Sequence, residues 1–162
     1  MLRVVSALFL ILISAVTSHA RIGETRVESI DRYGPEMKGA VAMKKVPTAS
    51  WSRFQSGKFI LDIAFVEMQT AVVHYSQRTV LISPPDVLKI LAAEGTGWLP
   101  FVMDEPMRSN TQRAPIVYLR SKEGLIAEML PVYCAGVTIY TEWAFTRIFG
   151  QPLARKDQEP SL

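Results

Sequence analysis

One cysteine and two histidines are the only thiol and imidazole groups in this 162-residue chain. Cys134 has no partner for an internal disulfide, so stability has to come from a hydrophobic core. So sparse a set makes no zinc site, and neither a metal nor any other cofactor is expected. A Gly-rich phosphate loop is also missing: Gly95 and Gly97 bracket Thr96, without the lysine or following helix that such a cradle needs. Charge of one sign is scarce as well. The 18 Lys and Arg face 15 Asp and Glu, and only Lys44-Lys45 and Arg155-Lys156 are adjacent basic pairs. That balance argues against nucleic acid and against an anionic membrane surface as partners. Trp51-Ser52-Arg53-Phe54 is the one place where basic and aromatic residues interleave.

The hydrophobic share is 49%, normal for a globular chain, but part of it sits in residues 1–20, MLRVVSALFLILISAVTSHA. Arg3 gives a positive start, residues 4–16 form an apolar run short for a bilayer, and Ser18-His19-Ala20 sets small residues before a cleavage point. This is the pattern of a signal peptide cleaved after Ala20. The mature chain would keep 17 basic and 15 acidic residues, a charge of +2. A secreted or periplasmic protein with no stable membrane span after cleavage is expected. Residues 21–150 are expected to form a single domain, and 151–162, almost without apolar residues, a disordered tail.

Residues 59–77, FILDIAFVEMQTAVVHYSQ, read as two strands and a tight return. With Glu67-Met68-Gln69 as the return, Phe65 falls opposite Ala71, Ile63 opposite Val73 and Leu61 opposite Tyr75, all on one buried face. Asp62, His74 and Ser76 then share the other, solvent face. A one-residue slip would turn Asp62 and His74 into the core, which favours this register. A hairpin alone is barely stable and needs cover from helices or further strands.

Before it, Thr25 and Glu28 match a capping box, and Val27, Ile30 and Tyr33 follow as a narrow apolar stripe. Gly34 and Pro35 end that helix. Short strands are expected over 40–46 and 50–54. After it, Ser83 is an N-cap, Pro84 suits the first helical position, and Val87, Leu88, Ile90 and Leu91 form an apolar face that Gly95 closes. Trp98, Phe101 and Met103 read as a strand that Pro100 confines to an edge, followed by a polar link over 107–115. A second hairpin spans 116–120 and 125–130, turning at Lys122-Glu123-Gly124. A strand through 137–143 follows, and 144–149 closes as a strand or a helical turn. The caps Thr25 and Ser83 are 58 residues apart and the returns at Met68 and Glu123 are 55 apart. That spacing fits two α-β-β units on one sheet, and equally an unrepeated α+β domain.

Gly23-Glu24-Thr25, a short helix and then Arg32-Tyr33-Gly34-Pro35 resemble the opening of a group of small exported bacterial proteins of unknown function. In that group a β-hairpin and then a helix ending near Gly and Trp come next, so the resemblance covers the chain from Gly23 to Trp98. More distantly, the order is similar to SmpA/OmlA-type outer-membrane assembly lipoproteins, although no lipoprotein cysteine stands near the cut. The resemblance implies export and a role in the envelope, and brings no catalytic residues.

Asp62, His74 and Ser76 are the residue types of a nucleophilic triad, which makes a small hydrolase the alternative function. Adjacent polar residues on a wet sheet face are also what an ordinary hairpin shows. Trp51, Trp98 and Trp143 are candidate contacts for an envelope protein partner, against the alternative that all three are core. The reading is therefore an α+β protein: an antiparallel sheet of about five to seven strands with two short helices, Arg26–Tyr33 and Pro84–Glu94, on one face. Its leading function is a non-enzymatic binding module of the cell envelope.

Overall fold

The computed structural model describes residues 21–40, 46, 48–101, 116–129 and 135–149. The signal at 1–20, most of the strand expected over 40–46, the link at 107–115, Cys134 and the tail at 151–162 lie outside them. In chain order the elements are α1 (Arg26–Tyr33), β1 (Ser50–Ser56), β2 (Phe59–Val66), β3 (Gln69–Ser76), α2 (Pro84–Glu94), β4 (Leu99–Phe101), β5 (Val117–Arg120), β6 (Ile126–Met129), β7 (Gly136–Tyr140) and α3 (Glu142–Phe149). The seven strands form one antiparallel sheet in the order β1-β2-β3-β7-β6-β5-β4. The fold is α+β, as expected. Each half runs from a helix into an antiparallel meander, and the halves join where β3 pairs with β7.

The local signals explain most of the elements. Thr25 accepts from the Glu28 amide while Glu28 accepts from the Thr25 amide at 2.7 Å, a complete capping box. Ser83 caps α2, with Pro84 in the first turn. Gly124 takes φ +83° in the β5–β6 return, a conformation that side chains with a Cβ resist. Pro100 lies on β4 at the sheet's edge, where the ladder does not need its missing N–H.

The sheet is buried on both faces. On one, Phe54, Leu61, Ile63, Phe65, Val73, Tyr75, Val137 and Ile139 meet Val87, Ile90 and Leu91 of α2, with Ile22 and Tyr33 alongside. On the other, Ala64, Val72, Ile126 and Tyr140 meet Ala144, Phe145 and Phe149 of α3.

Three expectations need correction. A third helix is present, because β7 stops at Tyr140 and the Thr141 hydroxyl accepts from the Ala144 amide at 3.1 Å, turning the chain over the second face. Helices α1 and α2 share one face, as expected, and this third helix covers the other. The β2–β3 return is two residues long, with Val66 paired to Gln69, and Glu67 and Met68 at φ +51° and +69°, the pattern of a type I′ turn. A bulge supplies the difference: Phe65 faces Thr70, and Ala71 joins Val72 on the α3 side. Finally, α1 is rotated from its expected phase. Ser29 is 1% exposed beneath it, whereas Val27 is 65% and Ile30 37% exposed. The entering segment fixes that phase: the Gly23 amide donates to Thr70 O, the Thr70 amide donates to Glu24 O, and Thr25 bridges Gln69.

The type I′ geometry makes a prediction. Left-handed backbone costs a residue with a Cβ about 1–2 kcal/mol, and both turn side chains are exposed. Glu67→Asn with Met68→Gly should therefore raise unfolding stability by roughly 1–2 kcal/mol in urea. An unchanged midpoint would show that the turn is not type I′.

Candidate functional site

Strand register gathers the candidate residues into one row across the sheet. Arg53 faces Asp62, Asp62 faces His74, His74 faces Thr138, Thr138 faces Glu128, Glu128 faces Tyr118 and Tyr118 faces Phe101. Side chains directly opposite one another on one face stand close enough to interact. The row lies on the α3 side, next to the apolar row of Trp51, Ala64, Val72, Tyr140 and Ile126.

The pairing of Asp62 with His74 is as expected, but the face they occupy is not wet. Asp62 is 3% exposed and His74 is half-buried. The expectation of a solvent face assumed one-sided burial of the hairpin. The second apolar layer under α3 removes that assumption.

A buried carboxylate requires compensation. Arg53 supplies it: Nε donates to Oδ1 and Nη2 to Oδ2 of Asp62, both at 2.8 Å, a bidentate pair. His74 Nδ1 lies 2.9 Å from Thr138 Oγ1. Burial pushes the His74 imidazole below its ordinary pKa, Asp62 opposes that shift and Arg53 adds to it. The ring is therefore neutral at pH 7. Its outer edge lies against β7 at Gly136, where a Cβ would stand 2.4 Å from His74 Cε1 and 2.9 Å from Tyr75 O. Farther along the row, the Tyr140 hydroxyl donates to Glu128 at 2.7 Å, and burial raises the pKa of both Tyr140 and Tyr118.

Ser76 lies two residues along β3, opposite Ile60 and Gly136. The hydroxyl that His74 engages is that of Thr138, which is itself buried. A triad needs its histidine between nucleophile and carboxylate. Here both Asp62 oxygens accept from arginine, and the imidazole bonds a hydroxyl screened from solvent. Among the described residues no group of three or more His, Cys, Asp or Glu side chains could hold a metal ion.

The three tryptophans are not brought together. Trp98 packs on the α2 side, where its Nε1–H donates to Leu91 O at 2.8 Å and Gly95 O at 3.0 Å, closing the end of α2. Trp51 is half-buried on the α3 side. Trp143 alone is exposed, at 47%, on α3, with the Arg147 guanidinium 5.7 Å from its ring centre. Thr138 and Gly136 escaped sequence reasoning because only the full strand order places β7 beside β3; Arg53 faces Asp62 across the short β1–β2 hairpin, a pairing that the return at Gly57-Lys58 signals.

Two predictions test the row. Arg53→Met leaves the Asp62 carboxylate buried without its guanidinium, and should cost about 2–4 kcal/mol in urea unfolding, less than a fully buried pair because Arg53 is part-exposed. Adding Asp62→Leu should recover most of that loss; a double variant as unstable as the single would show that the clamp is not what permits the burial. Gly136→Ala should displace the imidazole, read as a changed His74 ring resonance and loss of the Thr138 bond. An unshifted resonance would contradict the close approach.

No family model matches the chain, and no curated protein matches it. Among solved structures, an extracellular protein containing a SCP domain from Bacillus anthracis str. Ames is similar at 12% identity and a TM-score of 0.48, over 78% of this chain and 46% of that one. The chain thus spans less than half of that protein's length, and a likeness of this size bears on neither fold nor function. Among the described residues no helix is long and apolar enough to cross a membrane.

Proposed function

We propose that this chain is an exported, non-enzymatic module that binds another protein of the cell envelope. One observation carries the reading: the side chains with catalytic potential are already engaged in holding the sheet together. Asp62 is clamped by Arg53, and His74 is neutral, bonded to Thr138 and seated over Gly136. The signal-like residues 1–20 and the G-E-T…R-Y-G opening support export, and that opening links the chain to small exported proteins and, more distantly, to SmpA/OmlA-type assembly proteins.

The exposed apolar side chains offer the contact. Val27 and Ile30 on α1, Val80 and Leu81 entering α2, and Leu88 on α2 all point outward, and Trp143 does so on α3. Aromatic and aliphatic anchors of this kind dominate protein interfaces when a partner covers them. Trp143 with Arg147 is the strongest single anchor by residue type.

The test compares three forms of the protein. His74→Ala should keep its circular dichroism spectrum and still capture the partner of the wild type from an envelope fraction. Trp143→Ala should fold but capture about tenfold less, the effect of losing one hot-spot side chain worth over 1 kcal/mol. Hydrolysis of a chromogenic ester or peptide by the wild type that His74→Ala abolishes would overturn the reading in favour of a hydrolase. Recovery of no partner by any form would overturn it as well.

A further inference from the structure

Two fully buried serines lie on the two sides of the contact between α1 and β1. Ser29 and Ser52 are each 1% exposed, and neither hydroxyl has a hydrogen-bond partner among the described residues. A helical serine commonly bonds back to the carbonyl one turn earlier. Ser29 does not: only its amide donates to Thr25 O, at 3.0 Å. An unsatisfied buried hydroxyl keeps its full desolvation penalty, and native interiors hold few of them. Two on one contact call for a shared explanation.

Helix direction and strand register put these hydroxyls together. Helix α1 starts at the end of the sheet where β1 starts: Thr25 bridges Gln69, Gln69 pairs with Val66, and Phe65 beside it pairs with Ser50. From there α1 follows the direction of β1 until Tyr33 reaches Phe54, with ring centres 5.7 Å apart. Ser29 stands one turn before Tyr33, about 6 Å back along the helix. Ser52 stands two residues before Phe54 on the same strand face, about 7 Å back. The offsets match, so Ser29 lies over Ser52.

A third polar group closes the contact from the edge. Beyond α1 the chain returns beside β1, where the Met37 amide donates to Arg53 O at 2.7 Å, and this sets Glu36 next to Ser52. Arg26 of α1 donates to the Glu36 carboxylate from Nε at 2.5 Å and Nη2 at 2.7 Å. Arg26 chiefly, and Ser52 to a lesser degree, hold that carboxyl below its usual range against the cost of burial. The Ser52 hydroxyl thus favours the charge without bonding it directly. The Tyr33 hydroxyl belongs to a different neighbourhood, that of Glu24 and Glu94, where burial first and then those charges push its pKa up. There the Ile22 amide and the Tyr75 hydroxyl close on the Glu94 carboxyl.

We propose that one water molecule is a built-in part of the α1–β1 contact, bound between Ser29 and Ser52. It accepts from both hydroxyls and donates to the Glu36 carboxylate, which gives it about three bonds, the usual number for an internal water. A direct serine–serine bond would leave one hydroxyl proton unpaired, and an apolar filler would leave both. The Arg26–Glu36 pair covers the water at the rim, so its exchange with solvent is slow. Helix α1 is thereby tied to the sheet through a bridging water as well as through Tyr33 on Phe54.

Two measurements on the full chain test this. Oxygen-17 magnetic relaxation dispersion counts long-lived internal waters, and the Ser29→Ala/Ser52→Ala double variant should hold one fewer than the wild type. Urea unfolding of the wild type, both single variants and the double variant gives the coupling between the sites, with alanine's own helix and strand preferences cancelling. A shared water should make that coupling about fivefold in the folded-to-unfolded ratio. Each substitution only removes an oxygen from the interior, so all three variants should fold. An unchanged water count, or two effects that simply add, would overturn the proposal.

Discussion

Burial of β2 and β3 on both faces is the constraint that the rest of the structure accommodates. Leu61, Asp62, Ile63, Ala64 and Phe65 are consecutive and all buried. A strand buried on one face would leave every second residue to water, and Asp62 would need nothing further. With α3 over the second face, the carboxylate must bring its counter-charge inside, and Arg53 provides it from the neighbouring strand. The rest of the row follows. A neutral imidazole, a hydroxyl and a glycine can stand beside an ion pair in a half-dry layer, whereas another unpaired charge could not.

The two helices on the first face meet that sheet on different terms. Helix α2 presents Val87, Ile90 and Leu91 inward and leaves Leu88 and Lys89 outside, an apolar face matched to an apolar sheet. Helix α1 presents Ser29 and Tyr33 and leaves Val27 largely in solvent and Ile30 partly so. At eight residues it would not persist in isolation, so its order depends on docking. The same topological position, ahead of a meander in each half, is thus filled once by a strongly packed element and once by a weakly packed one.

What could be read from residues alone was what is local. Thr25 with Glu28, and Ser83 with Pro84, carry their caps within four residues, and both helices begin where those signals lie. Leu61 with Tyr75 and Ile63 with Val73 follow from period-two alternation, and both pairs are present. The failures occurred where a distant element decides. Glu67-Met68 contains none of the usual left-handed turn residues, and the bulge at Ala71 conceals the shortened loop. Thr141 lacks a Glu or Gln three residues on, so the cap of α3 was read as more strand. The phase of α1 is set by hydrogen bonds to Thr70, far along the chain. Glu94 looked like an ordinary helix end until Tyr75 and Ile22 were seen to close over it. The candidate row was half legible: Asp62 opposite His74, and Arg53 opposite Asp62, are hairpin properties, whereas Thr138 and Gly136 come from a strand that sequence order does not place beside β3.

The two titrating groups on opposite faces act on stability with opposite sign. His74 has a depressed pKa in the folded chain against 6.5 for its ordinary value, so folding loses stability as pH falls below about 6.5. Glu94 is raised to about 7 from 4.5, so its contribution is complete below pH 4.5 and is lost as pH rises through 7. Over the range they share, one term grows with pH while the other shrinks, and the global unfolding free energy changes less than either. A flat melting curve would therefore not show that the interior is indifferent to protons. The imidazole lies between β3 and β7, deep in the sheet, so its titration is felt by the whole fold. The carboxyl lies at the C-terminal end of α2, where it accepts from the Ile22 amide and the Tyr75 hydroxyl, so its titration acts on that junction. Burial alone raises the energetic stake of a charge; whether the response is global or local depends on how firmly the covering element is packed.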